Sequence, residues 1–246
     1  MKKKKRKKKN NVGTCFYSHS EILILLQTVA DNHVHYSTVF LKEYSTQLVS
    51  KIMPYISMLE ISQLRDFNKS KFYKIKVELK RILLRCYDDK KNKKMKKNGG
   101  GVGILLESLT LKVALHFLQL NMLNRRLDGL RMLNDCKQMI IARQYNQTHG
   151  EQATWLNATI FIRWLIEKDV LNILFRQGRL HVQVLKETIQ LLGFLAKEEM
   201  LSTNEIDILW QLTSSDDSEM KKTAYGVFQA LSLQLRSFHA CMHCLW

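Results

Sequence analysis

Four side chains that could bind zinc crowd the last residues of the chain. They are His239, Cys241, His243 and Cys244. Thiolate and imidazole are ligands that zinc prefers, so the cluster has the right chemistry for a metal site. A structural zinc site usually joins two such pairs across a loop, and the sequence has no second pair. We therefore interpret the cluster as an ordinary chain terminus and expect no metal.

Other groups with potential chemistry have simpler interpretations. His33 and His35 are two residues apart, so they could not face one ion from a helix. Asp216, Asp217 and Glu219 are typical of a helix N-terminus, where negative charge is stabilised by the helix dipole. The glycines at 99–103 are not followed by the Lys-Ser/Thr pair of a phosphate-binding loop. We expect no cofactor.

A lysine tract opens the sequence and supports two interpretations. It could direct nuclear import or bind phosphates, or it could be a solvated low-complexity tail. Because like charges repel, we expect this tail to be disordered. Its basic residues are Lys2, Lys3, Lys4, Lys5, Arg6, Lys7, Lys8 and Lys9.

The charge of the chain is concentrated in two tracts. The formal net charge is +17, with 39 basic and 22 acidic residues. The tracts at 2–9 and 90–97 hold 14 of the basic residues, which leaves 25 against 22 acidic ones. A nearly neutral folded part argues against a folded face that grips nucleic acid. Nucleic-acid binding is therefore expected only through the lysine tail.

Composition limits the fold class and the compartment. Hydrophobic residues make up 46% of the chain, which has one proline and ten glycines. A β-sandwich or barrel needs many tight turns, so this composition favours an all-α protein. We expect no membrane span and no secretion signal, because the apolar runs are short. The five cysteines should then be reduced thiols in the cytoplasm, or in the nucleus if the tract acts in import.

Apolar residues recur at steps of three and four, which indicates helices along most of the chain. The clearest stripe runs from Phe72 to Cys86. Start signals include a Ser202–Glu205 capping box and the potential N-cap residues Asn124 and Asn157. Pro54 should end or kink its helix. These signals predict about nine short helices.

Charge and glycine content divide the chain into five segments. We expect a disordered tail at 1–18, N-terminal helices at 19–87, and a flexible Lys/Gly loop at 88–103. A helical region at 104–236 and a C-terminal tail at 237–246 complete the chain. Short consecutive helices fit either a compact bundle or an α-solenoid of the armadillo or HEAT type, and no strict repeat decides between them.

The second half carries a specific resemblance. Its residues are LNRRLDGLRMLNDCKQMI (123–140), WLNATIFIRWLIEKDVLNILF (155–175), VLKETIQLLGFLAKEEMLSTNEIDILWQ (184–211) and AYGVFQALSLQL (224–235). This region, about 104–235, resembles the helical, armadillo-like part of the giant fat-facets-type ubiquitin-specific proteases. In order along the chain, the matching positions are Arg126 to Leu130, Asn134, Trp155–Leu156, Trp164–Leu165, Val170 to Leu174, Leu192 to Leu195 and Ile206 to Trp210.

The resemblance implies an armadillo-like array that acts as a scaffold rather than as an enzyme. It would present a solenoid surface to a protein partner, of the ubiquitin pathway for instance, or to the rest of a parent protease. Large apolar side chains at helical spacing are expected to anchor the core. The predicted anchors are Trp155, Trp164, Leu165, Leu192, Leu195, Leu209 and Trp210.

Cys15 is the one cysteine whose neighbours resemble the nucleophile box of these proteases. The chain reads NVGTCFYS at 11–18, but the family's asparagine between Gly13 and Thr14 is missing. A cysteine nucleophile also needs a histidine base, and no histidine box of the family follows. We therefore expect no catalytic residue in this chain. The alternative function is a basic-tailed adaptor that binds nucleic acid or an anionic membrane through its lysine tracts.

Overall fold

The computed structural model describes residues 19–32, 38–87, 100–146, 156–175 and 180–232. Within these ranges the regular elements are all α-helices, so the all-α prediction is confirmed. The helices are α1 (His19–Asp31), α2 (Thr38–Met58), α3 (Ile61–Asp66), α4 (Lys69–Tyr87), α5 (Gly100–Gln119), α6 (Leu123–Asn146), α7 (Ala158–Glu167), α8 (Val170–Phe175), α9 (Val182–Lys197), α10 (Thr203–Thr213) and α11 (Ser218–Ser232).

Three helix boundaries differ from the predictions. α2 continues through Pro54 to Met58, so Pro54 does not end its helix. Burial of Ile52 and Ile56 on either side offsets the lost hydrogen bond and the steric clash of an interior proline. α5 begins at Gly100, so the predicted loop does not extend to residue 103. Glycine costs a helix about 0.5–1 kcal/mol relative to alanine, and burial of Val102 and Leu106 on the same helix offsets this cost. Asn124 lies inside α6, which begins at Leu123, so its prediction as an N-cap is wrong.

The other start signals act as the sequence predicts. The Asn157 side chain accepts a hydrogen bond from the Ile160 N–H (2.9 Å) and caps α7. The Glu205 carboxylate accepts the Ser202 N–H (3.0 Å) and completes the capping box of α10. The Asp217 carboxylate accepts the Glu219 N–H (2.9 Å) at the start of α11. Each contact satisfies an amide that would otherwise lack a partner in the first helical turn.

The hydrophobic core is continuous across the predicted loop at 88–103. A single cluster of buried side chains extends from Leu26 in α1 to Leu195 in α9. The Phe67 ring, between α3 and α4, packs edge-on against Phe117 of α5 with centroids 6.2 Å apart. A second cluster holds α8 to α11 together, with Leu185 and Val227 fully buried. The N-terminal helices therefore share a core with the region that follows them.

The predicted core anchors do not all occupy the core. Leu165, Leu192, Leu195 and Leu209 are buried, and Trp164 is partly buried. Trp155 lies outside the described residues.

Trp210 is 50% exposed, so its prediction as a core anchor is wrong. Its neighbour Leu209 faces the core, and consecutive helical residues point about 100° apart. The Trp210 ring instead packs edge-on against Phe228 with centroids 5.7 Å apart.

One described helix is long and apolar enough to cross a membrane. The window Val102–Gln119 in α5 has a mean hydropathy of 1.4, and 56% of it is buried inside the protein. Phe117 and Leu118 in this window pack against other helices. We therefore interpret α5 as the central core helix of the array.

Candidate protein-interaction site

α6 lies against four other helices and buries unusual polar side chains. It packs against α4, α5, α7 and α9. Arg125, Arg126, Asn134 and Lys137 on this helix are all less than 10% exposed. Such groups are stable inside a protein only when they are hydrogen-bonded or paired. The hydrogen-bond partners of these four side chains show how α6 is held against its neighbouring helices.

The two arginines bind backbone carbonyls at the ends of neighbouring helices. Arg125 Nη1 donates to the Phe67 carbonyl (2.7 Å), just after α3, and pairs with Asp128 at 2.9 Å. Arg126 Nη2 donates to the Leu174 carbonyl (3.3 Å) in the last turn of α8. The last carbonyls of a helix lack partners within the helix and carry partial negative charge. Both arginines therefore fasten α6 to another helix end.

Asn134 and Lys137 fasten α6 to α9. The Asn134 amide donates to the Glu187 carbonyl at 3.2 Å. Lys137 Nζ donates to the carbonyl and the side-chain oxygen of Gln190, at 3.3 and 3.2 Å. Burial lowers the pKa of Lys137. These side chains bridge two helices across their faces, which fixes the register of α9 on α6.

A buried carboxylate joins α5, α6 and the start of α7. Glu107 pairs with Arg143 at 2.8 Å and accepts the Leu156 N–H at 3.3 Å. The Glu107 side chain is 7% exposed, so it depends on these partners. These contacts hold α5, α6 and the start of α7 together. The Glu107 carboxylate, the Arg143 guanidinium and the Leu156 N–H all take part in them.

The remaining sequence-predicted candidates are placed as follows. Cys15, the residues Lys2–Lys9, the two histidines at 33 and 35, and the cluster at 239–244 lie outside the described residues. Within the described ranges, no three His, Cys, Asp or Glu side chains are grouped to hold a metal ion. Asp217 caps α11, and Glu219 pairs with Lys186 at 3.1 Å.

Cys136 lies on α6, and its side chain is buried in the hydrophobic core. Burial raises the pKa of its thiol to about 12. A thiol that stays protonated is a poor nucleophile, so Cys136 fills space as a small apolar residue.

An open cavity lies between the first turns of α4 and α6. Its volume is about 560 Å³. Basic side chains from both helices line it, with one aromatic ring and one carboxylate. The lining residues are Asn68, Lys69, Ser70, Tyr73, Asn124, Arg125, Leu127, Asp128 and Arg131.

Polar contacts hold the α4 side of the cavity in place. Lys69 Nζ pairs with Asp135 at 2.7 Å, and the Tyr73 hydroxyl donates to the same carboxylate at 2.8 Å. The ammonium groups of Lys69 and Lys76 lie 5.6 and 5.5 Å from the centroid of the Tyr73 ring. Burial and the Asp135 charge raise the pKa of Tyr73, so its phenol remains a neutral donor.

Sequence reasoning missed this cavity, although part of its signal was present. α4 alternates lysines with other residues from Lys69 to Lys76, and α6 begins with two arginines and Asp128. Only the packing of α4 beside α6 brings the two groups together. A solvated basic helix face is the ordinary interpretation of such a pattern, so the sequence alone did not select it.

Comparison with known proteins now decides the family. Residues 105–240 match the family described as the UBP24/USP9X/USP9Y ARM repeat. The chain belongs to this family. Its armadillo-like array is thereby confirmed, and the matched range agrees with the resemblance seen at 104–235.

Curated relatives of this chain are ubiquitin carboxyl-terminal hydrolases by name. Mouse ubiquitin carboxyl-terminal hydrolase 9X is 24% identical over 148 residues, which is 57% of this chain and 6% of the relative. Human ubiquitin carboxyl-terminal hydrolase 9Y is 21% identical over 146 residues, with the same shares. The probable ubiquitin carboxyl-terminal hydrolase FAF of Drosophila melanogaster is 22% identical over 133 residues, covering 52% and 5%. No solved structure matches this chain.

The family match and the cavity overlap only in part. α5 to α11 lie in the matched range, whereas α1 to α4 precede it. The cavity has one wall on each side of this boundary, since Lys69 and Tyr73 belong to α4 and Arg131 belongs to α6.

Proposed function

We propose that this chain is a non-catalytic helical scaffold that binds another protein, as a module related to the ARM region of a large deubiquitinase. The observation that carries the proposal is the use of the polar residues of α6. Arg125, Arg126, Asn134 and Lys137 bind carbonyls and side chains of neighbouring helices. The buried polar groups of α6 therefore hold the helices of the array in fixed positions.

A rigid array of short helices suits protein binding for a physical reason. Each helix pair exposes one face while burying the other, so successive pairs create an extended surface that loses little entropy on binding. The matched segment is 6% of the mouse relative's length, so its partner would be another protein or the rest of a parent protease. We place this function in the cytoplasm, with nuclear entry if the lysine tract acts in import.

The alternative function, binding through the lysine tracts, makes a different prediction about salt. A tract that neutralises phosphates loses affinity steeply between about 50 and 200 mM salt. The affinity of a surface that buries apolar and aromatic groups depends much less on salt.

The test is a quantitative pull-down in which the full chain is the bait, at about 50 mM and about 200 mM salt. A matched variant carries glutamine at Lys2–Lys9, which removes the tail charge without shortening the chain. We expect both forms to retain the same protein partner to the same extent at each salt concentration. Retention that disappears at the higher salt and in the glutamine variant would favour the adaptor function instead.

A further inference from the structure

The cavity between α4 and α6 combines exchangeable positive charges with an aromatic wall. We propose that it binds an acidic segment of a partner protein, whose carboxylates pair with Lys69 and Arg131. This inference rests on the proposed scaffold function and specifies the chemistry of the partner. It concerns a surface that α4 completes, and α4 precedes the family match.

Lys69 and Arg131 each have an acidic partner that they can exchange at a small cost in free energy. In the Lys69–Asp135 pair the side chains are 26% and 42% exposed, and in the Arg131–Glu187 pair they are 49% and 30% exposed. Ion pairs with this much solvent access contribute little to stability. A carboxylate from a partner could therefore replace either acidic residue, or share its cation, without disturbing the fold.

A third cation is fixed and forms the floor of the cavity. In the Arg125–Asp128 pair the side chains are 9% and 15% exposed. Arg125 also donates to the Phe67 carbonyl and lies 5.9 Å from the centroid of the Phe117 ring. These contacts keep the guanidinium in place, so it adds positive potential without moving toward a ligand.

The charge around the cavity favours an acidic peptide. α4 carries seven basic residues and one acidic residue, Glu78, which gives it a positive field that would attract acidic segments. Asp128 and Asp135 lie at the same site. A phosphate with nearly two negative charges would be repelled by both, whereas single carboxylates spaced along a peptide can avoid them.

The experiment uses a fluorescein-labelled hexaglutamate peptide as the probe, with binding followed by fluorescence anisotropy. All proteins span residues 1–246 and carry glutamine in place of the basic residues of the two lysine tracts, at 2–9 and 90–97, so that the tracts do not capture the probe. The test variant is Lys69→Gln/Arg131→Gln. The matched control is Lys186→Gln/Lys197→Gln, which also removes two positive charges, both at exposed positions outside the cavity.

We expect the double variant to bind hexaglutamate about tenfold more weakly than the parent, because two exposed ion pairs are lost. The control should change affinity by less than about twofold. Equal weakening in both variants would show diffuse attraction and would overturn the proposal, as would a parent that does not bind the peptide. A single-stranded oligonucleotide that loses affinity in the double variant while hexaglutamate does not would assign the cavity to nucleic acid.

Two further measurements keep the result interpretable. Circular dichroism melts check folding, and Arg131→Gln alone replaces the double variant if the latter unfolds, because Arg131 is exposed. The pull-down of the previous section separates the two proposals. Partner retention that persists while hexaglutamate binding is absent would refute the acidic-segment site and leave the scaffold function standing.

Discussion

The first four helices and the last seven use charge in different ways. Residues 19–87 contain ten basic and six acidic residues, whereas the chain from Ile104 onward contains 15 basic and 14 acidic ones. In the second region several buried polar groups bind partners on other helices, as Glu107 and Arg143 show. In the first region much of the excess charge lies on α4, with Lys74 and Lys80 exposed. The matched region holds the array together, and the preceding region carries the larger net positive charge.

An aromatic and cationic junction is one of the places where the two regions meet. Phe67, Phe117 and Arg125 lie in contact where α3, α5 and α6 come together. A continuous core on both sides means that neither region presents a complete surface alone. The difference in charge therefore reflects a division of roles within one array.

Phe117→Ala should break the junction and have the largest effect. The Phe117 side chain is fully buried, and its removal leaves a cavity between the two regions. We expect the free energy of unfolding to fall by about 3–5 kcal/mol. Urea denaturation of the full chain measures this, and a loss below about 1 kcal/mol would contradict a shared core.

Glu107→Ala should show that buried polar contacts stabilise the matched region. The substitution leaves Arg143 and the Leu156 N–H without their carboxylate, which should cost about 1–3 kcal/mol. Glu219→Ala is the matched control, because its pair with Lys186 is exposed and should cost less than about 1 kcal/mol. Equal losses in thermal melts of the two variants would argue against a special role for the buried pair.

Two glycine-to-alanine substitutions should change the free energy of unfolding in opposite directions. A Cβ at Gly129 of α6 would lie 2.6 Å from the Ala114 carbonyl oxygen of α5, whereas a Cβ at Gly226 of α11 would have no atom within 4 Å. Gly129→Ala should destabilise the protein by about 1–3 kcal/mol through overpacking. Gly226→Ala should stabilise it by about 0.4–1 kcal/mol through a less flexible unfolded chain. Stabilisation by both would mean that α5 and α6 do not approach so closely.

The pH dependence of His116 should give the smallest effect. Burial lowers the pKa of His116 below its usual 6.5, and its Nε2 has no hydrogen-bond partner. The unfolded chain therefore takes up the proton first as the pH falls through 6.5, so the free energy of unfolding decreases there and is fully retained above that pH. His116→Gln should flatten the stability curve between pH 7 and 5 by less than about 1 kcal/mol. An unchanged slope would show that His116 does not titrate with unfolding.

Local signals predicted much of the fold because they act within a few residues. The caps at Asn157 and Ser202, and the stripe from Phe72 through Leu83, depend on spacing along one helix. The family-like pattern of the second region was visible for the same reason, since packing residues recur at fixed offsets.

Features that depend on neighbouring helices could not be predicted this way. Trp210 and Leu209 are adjacent apolar residues, and only the position of α9 and α11 decides that Leu209 faces inward. The cavity needs Lys69 beside Arg131, which are 62 positions apart in the sequence. The helix-to-helix hydrogen bonds of Arg126 and Asn134 likewise require the packed array.

We propose that the chain binds a protein partner and does not hydrolyse one. A cysteine hydrolase needs a thiolate, a base and donors for the oxyanion. The box around Cys15 lacks one residue of the protease pattern, and the Cys136 thiol is buried. Reactivity of Cys15 with alkylating reagents would not decide the matter, because nearby lysines can lower the pKa of a thiol without any catalysis.

The most direct test is turnover of a ubiquitin amide substrate by the purified full chain, beside its Cys15→Ala variant. We expect no turnover above background for either protein, and identical helical content for both. Measurable turnover by the parent chain that disappears in Cys15→Ala would refute the scaffold function and establish a catalytic cysteine in this chain.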